Sequence, residues 1–436
     1  MSSAVDEQLP SRRDVTGGVL WLLIAGAALI IPLVVAPTHL DAFRFPKQKT
    51  YEAFAIVVAA WLAIAFLFRG REFFEPLRKH RKVLLLTLGV VAWTALTTLT
   101  STNRTLSVQS LVWVTACGVI FVATLLTVEQ RGGRLLLWLL FVPATANALL
   151  AIVQRARIYN PMVFDERIPD RIRTTALIGN PNDVGTYLLF PVVAAMALAL
   201  ASRSKWLRVA MWAVAAVLTC GILVTVTITA IGALGAATVA LLLTRSRRSI
   251  VPLVIVAAIS AASVAAYAPL RGRVTAIASN IRQGNLIEAT SLRLPAYLAA
   301  WEMFVDRPLL GKGPGTYSWW YLPYKMELNE RNPRFYTVAV NFGETHNDHL
   351  QTLAVAGAPG YALFLGGAIL LASISFRRRD EREERNENRE FARLLGLPLA
   401  VGFLVVTLAQ FPLELASATR VLLHLAAVCR VWSEEA

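Results

Sequence analysis

Apolar stretches of about 17–25 residues, the length that crosses a hydrocarbon core roughly 30 Å thick, recur along almost the whole chain. They stand near 17–37, 50–68, 83–99, 107–127, 134–153, 182–201, 209–226, 229–244, 250–269, 352–376, 394–411 and 416–431. Lipid offers the backbone no hydrogen-bond partners, so each stretch reads as a helix that satisfies itself. The expected fold is an all-α polytopic membrane protein with about 12 transmembrane helices. Composition agrees, since 56% of the 436 residues are hydrophobic and 16% charged, against about 45–50% and 25% in soluble domains. The chain divides into nine helices with short loops over 1–269, a long loop with an amphipathic helix over 270–345, and three helices with a charged loop over 346–436.

Arginine and lysine gather in alternate loops: Arg12 and Arg13, Arg69 to Lys82, Arg131 and Arg134, Arg203 to Arg208, Arg245 to Arg248, and Arg377 to Arg393. The positive-inside rule makes that side cytoplasmic and puts both termini on it. Much of the net charge of +15 is thus explained by topology, without a nucleic-acid partner. Thr16 to Pro37 reads as a first anchor and not as a cleaved leader. Cys117, Cys220 and Cys429 lie in apolar runs, too far apart for a Cys-x-x-Cys site, and read as small buried hydrophobes. Acids and bases interleave through Arg377 to Arg389, the pattern of a solvated helix extension.

The opposite, periplasmic side would hold Arg44 to Lys47, Ser101 to Ser107, Arg155 to Asn182 and Arg271 to Thr345. Two of these segments break the charge bias: Arg155, Arg157, Arg167, Arg171 and Arg173 crowd one, and Arg293, Arg307, Lys312, Arg331 and Arg334 run through the other. Topology does not require them. They read as an anion site, because guanidinium groups pair with phosphate oxygens, or as a rim that binds lipid headgroups. Within the long segment, Ser291 to Pro295 starts a helix that Asp306-Arg307-Pro308 ends, expected to lie along the membrane. Gly311-x-Gly313-x-Gly315 then makes a turn before the aromatics Trp319, Trp320, Tyr321 and Tyr324, which suit an interfacial belt or a sugar-stacking surface. No strand precedes the glycines and Pro314 removes an amide, which excludes a dinucleotide-binding loop.

Acid, imidazole and amide groups concentrate in Glu344 to Gln351, at the mouth of the apolar run 352–376. His346 and His349 are an expected i,i+3 pair on one helical face. Without a third histidine nearby, or an Asp-x-Asp pair anywhere, no metal and no cofactor are expected. A histidine largely neutral at pH 7 can accept a proton from a hydroxyl, the role expected of His346; capping a helix start or satisfying backbone carbonyls is the alternative, stronger for His349.

His346-Asn347, nine residues, then Gly357-Ala358-Pro359-Gly360 resembles the His-Asn-x9-Gly-x-x-Gly signature of the bacterial O-antigen ligase family. Gly179-Asn180-Pro181-Asn182 resembles that family's Gly-Asn-Pro-Asn element, and Arg293 through Trp301 to Thr316 is similar to its outer loop. The resemblance implies a C-type glycosyltransferase-like fold that moves a glycan from undecaprenyl pyrophosphate to a hydroxyl of lipid A-core oligosaccharide, with inversion and without metal, at the periplasmic face of the inner membrane. His346 and Arg293 would be catalytic. Arg167, Arg171, Arg173 and Lys47 would bind the donor pyrophosphate, with Asn347, Asp348, His349, Asn180 and Asn182 in support. One family feature is missing: the arginine of a Thr-x-Ser-Arg element is replaced by Ala230 in Thr227-Ile228-Thr229-Ala230. An O-antigen polymerase or a protein O-oligosaccharyltransferase of the same superfamily would share the donor site and differ in acceptor. A twelve-span transporter would need ionisable residues near mid-membrane and internal symmetry.

Overall fold

The computed structural model describes residues 12–161, 170–245, 258, 262–377 and 386–434. Among the described residues every regular element is a helix. In order these are α1 (Arg12–Ile30), α2 (Arg44–Arg69), α3 (Arg81–Leu99), α4 (Arg104–Arg131), α5 (Arg134–Arg155), α6 (Asp170–Arg173), α7 (Pro181–Ala201), α8 (Lys205–Thr225) and α9 (Ile228–Arg245). There follow α10 (Ala268–Arg282), α11 (Leu286–Ala289), α12 (Leu294–Asp306), α13 (Tyr317–Arg331), α14 (Asp348–Ser373), α15 (Glu387–Val406) and α16 (Ala416–Trp432).

Eight segments among the described residues are long and apolar enough to cross a membrane, and one of them, Arg44–Leu99, contains both α2 and α3. The stretch near 250–269 falls largely outside the described residues, as do most of Arg377 to Arg389 and the arginine at position 167. Helices α15 and α16 are not among the eight: α15 opens on Glu387, Arg389 and Glu390, and α16 has only 17 residues. Both are nevertheless largely buried within the bundle.

Helix α7 lies at the centre, 83% buried over its apolar window, and packs on α5, α8, α9, α15 and α16. Helix starts are set by short polar side chains: Asn103, Asn180, Ser204, Asn347 and Asn386 each accept a hydrogen bond from an amide of the first turn. The basic loops meet at one end of the bundle, where Lys79 and His80 reach Glu129, Arg134 reaches Glu387, and Arg377 reaches Glu434.

The opposite end carries the long segment, and a break in α14 anchors it. Gly357 leaves helical geometry (φ 69°, ψ −175°), and a Cβ there would come within 2.2 Å of the Leu309 carbonyl oxygen. The opened helix offers its backbone to the glycine-rich turn: Lys312 and Gly313 donate to the carbonyls of Ala354 and Val355 at 2.9 and 3.0 Å, and Ala358 donates to Pro308 at 2.8 Å. Gly311 (φ +66°) sits where a Cβ would strike the Val355 carbonyl carbon at 2.3 Å. The Gly-x-Gly-x-Gly turn and the glycine following the His-Asn pair are therefore two halves of one docking contact. Helix α12 runs as expected from Leu294 to Asp306 and packs on α13 and α14, burying Ala296, Ala299, Ala300 and Met303.

Candidate active site

The His-Asn pair stands just outside α14. Asn347 is the cap, accepting from the Leu350 amide at 3.0 Å, so the helix begins at Asp348 and His346 lies in the turn before it. This corrects the expected i,i+3 pair on one helical face. His349 belongs to the helix and is fully engaged: Nδ1 meets the Tyr361 hydroxyl, and Nε2 meets the Leu404 carbonyl and the Thr407 hydroxyl, each at 3.0 Å. It ties α14 to α15.

His346 adopts a left-handed backbone (φ 54°) and packs edge-on against Phe411 and Phe342, at 4.7 and 5.6 Å between ring centres. Its Nδ1 is buried without a partner among the described residues. Burial, then Arg293 and Arg44, push its pKa down to about 3. The imidazole is therefore neutral across the physiological range but takes up a proton poorly in the free protein. Arg293 also follows left-handed residues, Ser291 (φ 55°) and Leu292 (φ 67°). Non-glycine residues rarely hold this conformation, and it clusters at functional sites.

Arginines from four segments come together around Arg171, and one of them, Arg293, also acts on His346. Arg293 donates to the Ala409 carbonyl at 2.8 Å, Arg155 to the Tyr267 hydroxyl at 3.0 Å, and Arg273 to the Ser291 hydroxyl at 3.2 Å. Arg171 donates to Asn182 Oδ1 at 2.6 Å, while its buried Nε has no partner among the described residues. Burial, and then Arg273, Arg293 and Arg155, lower the pKa of Arg171 to about 10. Burial likewise lowers Arg293. Among the described residues none of these four arginines pairs with a carboxylate. Such an uncompensated group of guanidinium charges favours an anion.

The Gly-Asn-Pro-Asn element shapes one wall. Asn180 caps α7 by accepting from the Asn182 amide at 2.8 Å, which leaves Asn182 Oδ1 to Arg171. Thr227 reaches the same oxygen at 3.4 Å. Ala230 is fully buried, and its Cβ lies 3.2 Å from the Cβ position of Gly185, so this site has no room for a long side chain. The guanidinium on this wall comes from Arg171. Arg173 is half-buried, and its carbonyl accepts from Asn160 and from the Thr175 amide. Lys47 is 3% exposed and donates to the carbonyls of Val34, Phe43 and Leu177 at 2.6, 3.2 and 2.6 Å. Its three ammonium protons are all used in holding loops together.

Arg44 divides the site. It meets buried Asp183 at 2.9 Å, Glu344 at 3.6 Å and the face of Phe411 at 4.8 Å. Beyond Glu344 opens a cavity of about 590 Å³ between α3, α4, α14 and α16. Its walls are apolar, as at Val90, Leu363 and Phe364, and its mouth carries Glu344, Asp348, Gln351 and Glu414. Among the described residues no group of three His, Cys, Asp or Glu is placed to hold a metal ion.

The structure thus links His346, Arg293, Arg171 and Asn182, with Asn180 capping the adjoining helix, while Lys47 holds loops together and His349 ties α14 to α15. Sequence reasoning overlooked Asp183, Arg273, Phe411 and Glu414. Asp183 directly follows the Gly-Asn-Pro-Asn element, and Glu414 is an acid in the short loop between the last two apolar runs; both signals were legible. With the geometry in hand, residues 213–365 match the family model described as O-Antigen ligase. No curated protein matches the chain.

Proposed function

From the O-antigen ligase family to which that match assigns the chain, we propose a glycosyltransferase that joins a lipid-pyrophosphate-linked O-antigen glycan to a hydroxyl of lipid A-core oligosaccharide. The donor is carried by undecaprenyl, and the site faces the periplasm. What supports the reading is a group of arginines that, among the described residues, pair with no carboxylate, next to a neutral histidine whose buried Nδ1 has no partner among those residues. Pyrophosphate is a good leaving group once its charge is met, so positioning and electrostatic stabilisation supply most of the catalysis. Arg293 and Arg171 hold the pyrophosphate, with Arg273 and Arg155 adding field.

His346 touches the reacting centre, with its role moved from proton acceptor to neutral hydrogen-bond donor toward the departing pyrophosphate. The depressed proton affinity supports this change. Asn347 and Asp348 fix the turn that presents it, and Asn180 and Asn182 fix Arg171. The apolar cavity below Glu344 suits a hydrocarbon chain and favours lipid-borne substrates over a soluble protein acceptor.

Deleting the gene and resolving the surface glycan on a gel tests the proposal. Loss of long-chain lipopolysaccharide with accumulation of lipid-linked glycan is the expected result. A core capped by a single repeat would replace the ligase with a polymerase, and unchanged lipopolysaccharide with unglycosylated protein would replace it with a protein oligosaccharyltransferase.

A further inference from the structure

The arginine side of the site meets the charge of the leaving group, yet among the described residues its carboxylate, Asp183, is paired with Arg44 and none stands free to take the proton that the attacking hydroxyl must lose. Such a group follows Phe411 closely in the chain. The short turn Pro412–Glu414 begins immediately after the ring on which His346 packs, and it ends on Glu414, at the mouth of the cavity. We propose that Glu414 is the proton acceptor of the transfer, a role that rests on the glycosyltransferase reading above.

The carboxylate is oriented by a hydrogen-bond chain that starts in the histidine turn. The Thr345 amide donates to Gln351 Oε1 at 2.9 Å, and the Thr345 hydroxyl does so at 3.1 Å. An amide N–H can only donate, so the Gln351 oxygen has to face Thr345 and its NH₂ group has to face away. That group donates to Glu414 Oε1 at 3.0 Å. One carboxylate oxygen is thereby fixed and the other is left for substrate, the arrangement of a base oriented by a third group. Asp348 holds the same turn, accepting from the Leu413 amide at 3.2 Å. Glu414 is thus connected through two residues to the backbone beside His346.

Glu414 keeps an exposed face on the cavity, but the protein packed around it desolvates the carboxyl; that, and then Glu344, raise it to about 7, against donation from Gln351 and the charge of Arg44. Proton transfer is efficient when the acceptor titrates near the working pH. His346, at about 3, lies far below that range. In the step, the acceptor O–H bond breaks and its proton passes to Glu414. The oxygen bonds to the anomeric carbon as the bond from that carbon to pyrophosphate breaks, and the electron pair leaves on pyrophosphate at the arginines. Donor and acceptor are thus served by two separate groups of residues.

The test uses the full chain in lipid nanodiscs with undecaprenyl-pyrophosphate-linked glycan and lipid A-core oligosaccharide, assayed from pH 5 to 9. Wild-type rate should rise with pH through about 7, as Glu414 loses its proton. Glu414→Gln keeps the shape and the bond to Gln351; it should lower kcat by about 100-fold or more, leave the donor KM unchanged and abolish the rise with pH. Glu414→Asp should retain the rise at a reduced rate, and formate should restore part of the rate of Glu414→Ala. Wild-type kcat in Glu414→Gln, or a persisting pH limb with a raised donor KM, overturns the proposal while leaving the transferase reading intact. A wild-type protein that transfers nothing at any pH overturns both.

Discussion

The arginine group around Arg171 and the carboxylate group around Glu344 solve opposite electrostatic problems. On one side Arg155, Arg171, Arg273 and Arg293 have no carboxylate partner among the described residues, and their mutual repulsion and burial pull Arg171 down to about 10. On the other, Glu344, Asp348 and Glu414 share a cavity mouth, and desolvation raises Glu344 and Glu414. Arg44 spans the divide through Asp183 and Glu344. A fold that wanted only stability would have paired these charges with one another. Keeping them apart leaves the arginines to an anion and the carboxylates to hydroxyl groups, which a transfer from pyrophosphate to a sugar requires.

The comparison breaks most sharply at His346, on which Arg293 and Arg44 both act. His346→Ala should lower kcat by about 100- to 1,000-fold, as loss of one aimed donor does. His346→Gln should keep part of the activity because its amide still donates. Equal loss in both variants, with membrane insertion normal, would return the proton-acceptor role to the histidine.

On the arginine side, Arg293→Lys should raise the apparent donor KM by roughly 10- to 100-fold, since a point charge cannot replace a planar fork whose bonds are worth about 1.5–3 kcal/mol. Its acceptor KM and its pH profile should not move. A change in the pH profile instead would mean that the two sides are not separable.

Lys47 tests whether any outer cation binds the donor. Lys47→Met leaves three carbonyls without their donor, so thermal stability in detergent should fall by roughly 1–3 kcal/mol while the donor KM stays as it was. A raised donor KM at unchanged stability would return Lys47 to the pyrophosphate site. The smallest effect is expected from excess EDTA, which should leave transfer unchanged because arginines can neutralise the leaving group; activity lost to chelator and restored by Mg²⁺ would require a metal held partly by substrate phosphates.

Helix positions, the bend after Asp306, the glycine-rich turn and the helix start at the His-Asn pair were legible because each depends on local pattern: apolar length, a proline, a run of glycines, a cap. A structural role was the stronger expectation for His349, but its partners could not be named. Spacing places it near His346, but whether an imidazole is free depends on Tyr361, Leu404 and Thr407, of which the last two are more than 50 residues away. Lys47 reads as a free outer cation until Leu177 folds over it.

The sequence by itself determined an all-helical, membrane-crossing chain, since uninterrupted apolar stretches leave the backbone no other way to satisfy its polar groups in lipid. It also determined where chemistry concentrates, because polar and titratable residues beside such stretches are costly without a use. Only the tertiary structure decided which charges stay unpaired. Arg171 finds Asn182, Arg44 finds Asp183, and Glu414 finds Gln351 across 11, 139 and 63 residues. Desolvation and neighbouring charge, which set the protonation of His346 and Glu414, are properties of that packing and not of the residues' order.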